Sequence, residues 1–206
     1  MPKQNNLSSN GSTISHAPEG FKVIDGCMRF NMHAEDTIHY VLRHIMHGNF
    51  SAPMEEDLVE GIKVLDVGCG TGIWTLEMAR EFPNSIFVGT DKFKVEPMSD
   101  NIPPNATFLT ADTLQGLPFE DGSFDYVFQR GMSISFRPKD WDIAMKELTR
   151  LTKPGGFLEL FEIDLKNIER PPEDMTAIDK GEYLTLNSGY GHTLHLERKH
   201  HQRFPL

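Results

Sequence analysis

The chain has 206 residues, 38 % of them hydrophobic and 24 % charged, which is the composition of one globular domain with tails. Thirty acidic residues against 20 basic ones give a formal charge of −10, which argues against a broad grip on nucleic acid, because duplex binding needs a basic face. There is no apolar run of roughly 18 residues for a spanning helix and no apolar stretch of a secretory signal in residues 1–20, so no membrane contact is expected. The two cysteines, Cys27 and Cys69, are too few for a disulfide scaffold and fit a reducing compartment. An intracellular protein is predicted, cytoplasmic first and nuclear as the other option.

Residues 1–20, rich in Asn, Ser and Gly, predict a disordered tail. Residues 21–61 predict a helical N-terminal cap. Ile38, Val41, Leu42, Ile45 and Met46 recur at helical spacing over 35–49, and residues 53–60 suggest a second, short helix. His39, His44 and His47 fall in the first helix; with no third ligand in view they read as solvated or capping histidines, and no metal site is expected.

The texture then changes. Ile62, Val64, Leu65 and Val67 read as a short buried strand, followed by a glycine turn at 68–72 and a helix over 71–82 that Pro83 and Asn84 stop. Strands follow at 86–90, 106–110 and 123–129. Pro138 opens a helix with Trp141, Ala144, Met145, Leu148 and Leu151 on one face; Lys153–Gly156 reads as a turn and 157–163 as a fifth strand. Strands alternating with helices predict a parallel α/β sheet with right-handed crossovers. The core is placed at 62–165, with an irregular extension over 166–206.

The glycine turn carries the chemistry. It reads Gly68-Cys69-Gly70-Thr71-Gly72, with Asp66 in the strand before it, at the carboxyl end where open α/β sheets bind ligands. Glycines let the backbone turn sharply and let a ligand approach without a Cβ in the way. Cys69 reads as a small turn residue. Asp91 ends the second strand, where a carboxylate can accept from both ribose hydroxyls of a nucleoside. Asp112 follows the third strand, placed for an adenine amino group, and Thr113 adds a hydroxyl. The spacing is G-x-G-x-G rather than the G-x-G-x-x-G of dinucleotide binders. The acidic lining would also repel a pyrophosphate, so NAD is disfavoured.

These segments, VLDVGCGTG (64–72), VGTD (88–91), LTADTLQGLPFEDGSFDYVFQR (109–130) and LTKPGGFLELFE (151–162), resemble the class I S-adenosylmethionine-dependent methyltransferases. Residues 27–61, with HGNFSAP, resemble the N-terminal segment of fungal methyltransferase-like proteins related to regulators of secondary metabolism. The resemblance implies a Rossmann-like methyltransferase fold, a parallel sheet of about five strands flanked by helices, with S-adenosylmethionine as cofactor. It assigns Asp66, Gly68, Gly70 and Gly72 to the methionyl end and the turn, Asp91 to the ribose, and Asp112 and Thr113 to the adenine. Gln129 and Arg130 would border the methyl-transfer pocket, with Gln129 counted among the cofactor residues. Arg29, Phe30 and His33 are candidates to line an acceptor pocket; no catalytic base is legible.

The family's final antiparallel hairpin is not legible after residue 163. Only TLHLE (193–197) has a strand-like pattern, and the four histidines from His192 onward sit in a basic end. The chain therefore resembles a member cut short after strand five. That strand would expose an edge open to self-association. Two functions follow: methyl transfer to a small-molecule acceptor, or a non-catalytic module that keeps the fold.

Overall fold

The computed structural model describes residues 21–24, 27–30, 32–95, 97, 101–163 and 189–195, with side chains over 36–44, 46–95, 97 and 101–162. The N-terminal part opens with an antiparallel hairpin, β1 (Phe21–Ile24) and β2 (Cys27–Phe30), which the sequence pattern did not reveal. Helices α1 (Met32–Ile45) and α2 (Glu55–Glu60) follow. The core contains β3 (Lys63–Val67), α3 (Ile73–Glu81), β4 (Ile86–Asp91), β5 (Ala106–Thr110), β6 (Phe124–Arg130), α4 (Pro138–Leu151) and β7 (Thr152–Ile163). A last strand, β8 (Gly189–His195), closes the order.

Six strands form one sheet in the order β5-β4-β3-β6-β7-β8. The first five are parallel, as the alternation predicts, and β8 is antiparallel to β7. Both faces of the central strands are covered, which is why β3 reads as an almost continuous apolar run. On one face Val64, Phe87, Tyr126 and Phe128 pack against Leu58 of α2 and Trp74, Met78 and Ala79 of α3. On the other, Leu65, Val67, Val127 and Leu158 pack against Leu148 and Leu151 of α4. Among the described residues no helix is long and apolar enough to cross a membrane.

Two expectations are corrected at the C-terminal side. The segment Lys153–Gly156 is not a turn but the first part of β7, which starts directly after α4. The cost of Pro154 and two glycines is taken up by an irregular register between Phe124 and Tyr126 and by a φ of 87° at Gly155. The second correction concerns the strand edge. β8 pairs along β7 from Phe157↔His195 to Ile163↔Gly189, so the fifth parallel strand is covered and its predicted open edge does not exist. Two glycines and little apolar content hide β8 in the sequence; main-chain hydrogen bonds to a neighbour supply what its side chains do not. The tail 1–20 and the rest of the extension, 164–188 and 196–206, lie outside the described residues.

The loop between α1 and α2 is tied to the sheet through Glu159 of β7. This buried carboxylate accepts from the backbone N–H of Ser51 (3.0 Å) and Ala52 (2.8 Å) and from the Tyr126 hydroxyl (2.9 Å). The Trp74 indole donates to the Asn49 carbonyl at 2.7 Å.

Candidate functional site

The parallel strands β3, β4 and β6 end together, and their carboxyl ends build the site. The backbone N–H groups of Gly68 and Cys69 donate to the Thr90 carbonyl at 2.8 and 3.0 Å, pinning the turn to the end of β4. Gly72 closes the turn with a φ of 77° and is the N-cap of α3. A Cβ there would lie 2.6 Å from the Phe108 ring, so both the conformation and the space require glycine. At Gly68 a Cβ would lie 2.5 Å from Met132 Sδ.

Two cavities flank this turn. The first, about 150 Å³, is lined by Asp66, Gly68, Gly70 and Thr71 of the turn, by Ile38, His39 and Leu42 of α1, and by Trp74, Phe128, Arg130 and Ile134. The second, about 80 Å³, is lined by Asp91, Lys92, Asp112, Thr113, Leu114 and Phe136. They share Gly68, Met132 and Ser135 as lining residues, so they lie on either side of the same turn.

Six of the eight cofactor residues expected from sequence line these cavities: Asp66, Gly68 and Gly70 the first, Asp91, Asp112 and Thr113 the second, with Gly68 in both. Gly72 supports the turn from behind, and Gln129 lines neither cavity. Strand alternation explains Gln129. It shares the α4 face with Val127, while Arg130 shares the opposite face with Tyr126 and Phe128. Gln129 is fully buried and Arg130 reaches the first cavity. His39, read among solvated or capping histidines, is 1 % exposed and lies in that cavity wall. The side chains of Arg29, Phe30, His33, His192 and His195 lie outside the described ones.

The electrostatics are set by burial. Asp66 has its carboxyl raised from 3.8 to about 6 by desolvation; the Thr75 hydroxyl, donating at 2.6 Å, and the Arg130 charge oppose the rise, and Asp91 adds to it. Asp91 accepts from the backbone N–H of Gly70 (3.0 Å) and Phe93 (2.9 Å), which fixes its carboxylate at the mouth of the second cavity. Asp112 caps a one-turn 3-10 helix, Thr113–Gln115, through the Leu114 N–H, and pairs with Lys92 at 3.4 Å. Trp74 stacks on Phe128 at 4.1 Å between ring centroids, giving the first cavity a flat aromatic side.

The arrangement therefore offers carboxylates in both cavities and an aromatic side in the first. Residues 64–156 match a family model described as a methyltransferase domain. Over that segment, somewhat under half of the chain, it is similar to the class I S-adenosylmethionine-dependent methyltransferases. The secondary metabolism regulator laeA of Coprinopsis cinerea is 39 % identical over 102 residues, covering 50 % of this chain and 25 % of that protein. A demethylmenaquinone methyltransferase of Staphylococcus aureus is 36 % identical over 108 residues, covering 50 % and 44 %. A solved methyltransferase from Methanosarcina mazei is similar with 25 % identity and a TM-score of 0.44, covering 54 % of this chain and 57 % of that one. The chain spans less than half the length of the curated relatives it matches. The cofactor of the family is S-adenosylmethionine, and the residues present fit it. Carboxylates stand in both cavities, and Gly68 and Gly70 line the first without a side chain.

Proposed function

We propose that this chain binds S-adenosylmethionine across the two cavities and directs methyl transfer to a small-molecule acceptor. The observation that carries this reading is the pair of cavities flanking one glycine turn, with Asp66 in one and Asp91 and Asp112 in the other. In this reading Asp66 faces the methionyl ammonium, Asp91 accepts from the ribose hydroxyls, and Asp112 with Thr113 meets the adenine. Bound there, the cofactor supplies a methyl group already activated on a sulfonium cation.

The chain's own contribution is position and shelter. Asp91, fixed by two backbone donors, sets how far along the turn the nucleoside sits. The Trp74–Phe128 pair offers a π face to positive charge and, with Ile38, Leu42 and Ile134, keeps water from the methionyl end. Alignment of this kind supplies on the order of 7–11 kcal/mol toward a barrier. A proton acceptor is needed only where the acceptor molecule must lose a proton early.

The test is calorimetric titration of S-adenosylmethionine into the 206-residue protein, with Asp91→Ala and NAD as controls. Saturable binding, lost in Asp91→Ala and absent for NAD, is expected. No binding by a folded chain defeats the reading. The similarity to proteins named secondary metabolism regulators favours a second reading, a regulatory module that binds the cofactor without turnover. Release of S-adenosylhomocysteine over an acceptor panel separates the two.

A further inference from the structure

The segment that joins β6 to α4 is fastened at both ends. Gly131 turns out of β6 with a φ of 72° and donates its N–H to the Phe161 carbonyl at 2.9 Å. A one-turn 3-10 helix follows, Met132–Ile134. Its first N–H groups find no acceptor within so short a turn, and one carboxylate takes both: Met132 donates to Glu162 Oε1 at 3.0 Å and Ser133 to Glu162 Oε2 at 2.7 Å. Glu162 stands near the end of β7, so the sheet itself holds the turn. At the far end the Phe136 ring meets Trp141 of α4 edge to face, with centroids 5.3 Å apart, and the Arg137 N–H donates to Asp140 at 2.9 Å.

So held, the segment lays Met132 on the glycine motif. The thioether lies close enough to Gly68 that a Cβ there would meet Sδ at 2.5 Å. Gly68 and Met132 each line both cavities. The Met132 side chain, seated on Gly68, is therefore the partition between the two spaces. They hold only about 150 and 80 Å³, and a ligand that fills both has to pass through the place of this side chain. Methionine suits a partition that opens. It is unbranched with three rotatable bonds, so it can swing aside while the backbone stays pinned on Glu162.

We propose that Met132 is a gate between the two cavities, closed in the free protein, and that Glu162 is the positioning residue that keeps it closed. The inference rests on the cofactor reading above. The apparent affinity for a ligand that spans both cavities is then reduced by the fraction of molecules whose gate is open. A ligand confined to one cavity escapes that reduction.

The experiment compares S-adenosylhomocysteine, which needs both cavities, with adenosine, which needs the second, by calorimetry on the full chain. Stopped-flow tryptophan fluorescence follows association of the first ligand, because Trp74 lines the first cavity. In Met132→Ala, S-adenosylhomocysteine is expected to bind at least about fourfold more tightly and to associate faster, the factor for one methylene-sized group that no longer has to be displaced. Adenosine is expected to bind as before, so the ratio of the two affinities rises. Should that variant fail to fold, the shorter Met132→Val reads the same comparison. Met132→Leu keeps the bulk and the wild-type ratio. Glu162 lines neither cavity, and Glu162→Gln, which leaves one acceptor oxygen for two N–H groups, moves the ratio in the same direction as Met132→Ala. A merely structural role for Glu162 would weaken both ligands alike. An unchanged or lower ratio in a folded Met132→Ala makes the side chain an ordinary ligand contact; that overturns the gate and leaves the cofactor reading intact. An unchanged ratio in a folded Glu162→Gln overturns the role given to Glu162. No binding of S-adenosylhomocysteine by a folded wild type overturns the cofactor reading, and the gate with it.

Discussion

Asp66→Asn is expected to stabilise the protein while removing its hold on the cofactor. Asp66 is 4 % exposed, and burial raises its carboxyl from 3.8 to about 6 in spite of the Thr75 hydroxyl at 2.6 Å and the Arg130 charge. A carboxyl that binds its proton more tightly in the fold than in the unfolded chain stabilises the fold when protonated. That contribution is complete below 3.8 and is lost as pH rises through about 6. At roughly 1.4 kcal/mol per pKa unit, ionised Asp66 costs about 3 kcal/mol at neutral and higher pH. Asparagine keeps an oxygen for Thr75 and carries no charge, so the variant recovers up to about 3 kcal/mol at about pH 8 and almost nothing near pH 3.5. For a domain of this size each kcal/mol moves Tm by about 2–4 °C, so a gain of several degrees is expected at the higher pH. Thermal unfolding of both proteins across that range, with S-adenosylhomocysteine titration at pH 8, measures both halves. A Tm at pH 8 equal to or below that of the wild type, or a gain that ignores pH, would refute the desolvation argument. Undiminished ligand binding would refute the role given to Asp66.

Glu159→Ala strands two backbone donors and the Tyr126 hydroxyl at a buried position, and stability is expected to fall by about 3–5 kcal/mol, read as a lower urea midpoint. Gly72→Ala forces a side chain onto a φ of 77° and against Phe108 at 2.6 Å; a loss of at least about 1–2 kcal/mol is expected in the same denaturation assay. Asp91→Ala should weaken S-adenosylmethionine at least about tenfold by calorimetry, and the loss should remain in high salt, because the contact is a fixed hydrogen bond and not a screened surface pair.

The parallel sheet was legible because its signal is local. Each core strand announces itself as a short β-branched or aromatic run, and each crossover helix as a periodic one. The turn was legible for the same reason: Asp66 to Gly72 is one contiguous segment, and Asp91 stands at the end of the next strand. What the sequence did not reveal is settled by partners far away in the chain. β8 takes its hydrogen bonds from β7, and only its last three residues, Thr193-Leu194-His195, fall in the segment whose pattern is strand-like. The burial of His39 depends on Glu77 and Arg130, 38 and 91 residues further on. The resemblance groups Gln129 with Arg130 at one pocket, with the strand expected to end at residue 129. β6 continues through Arg130, so a period of two sends the neighbours to opposite faces of the sheet.

The site has two halves of different origin. The second cavity is built entirely from the core: Asp91, Asp112 and Thr113 follow β4 and β5, and their hydrogen bonds stay within a few residues or reach the turn. The first cavity is a seam. One side is the turn and β6; the other is α1, joined to the core by Thr71 donating to Asp36 at 2.8 Å, by His39 to Glu77 and Arg130, and by the loop anchored on Glu159 and Trp74. Those links are polar, specific and buried or partly buried, so shifting α1 would strand several donors and acceptors at once. The apolar residues α1 brings to the cavity, Ile38 and Leu42, are therefore held in register with the turn. A substitution on this face of α1 acts on the first cavity and leaves the lining of the second unchanged. His39 and Arg130 stand where the N-terminal segment and the core meet.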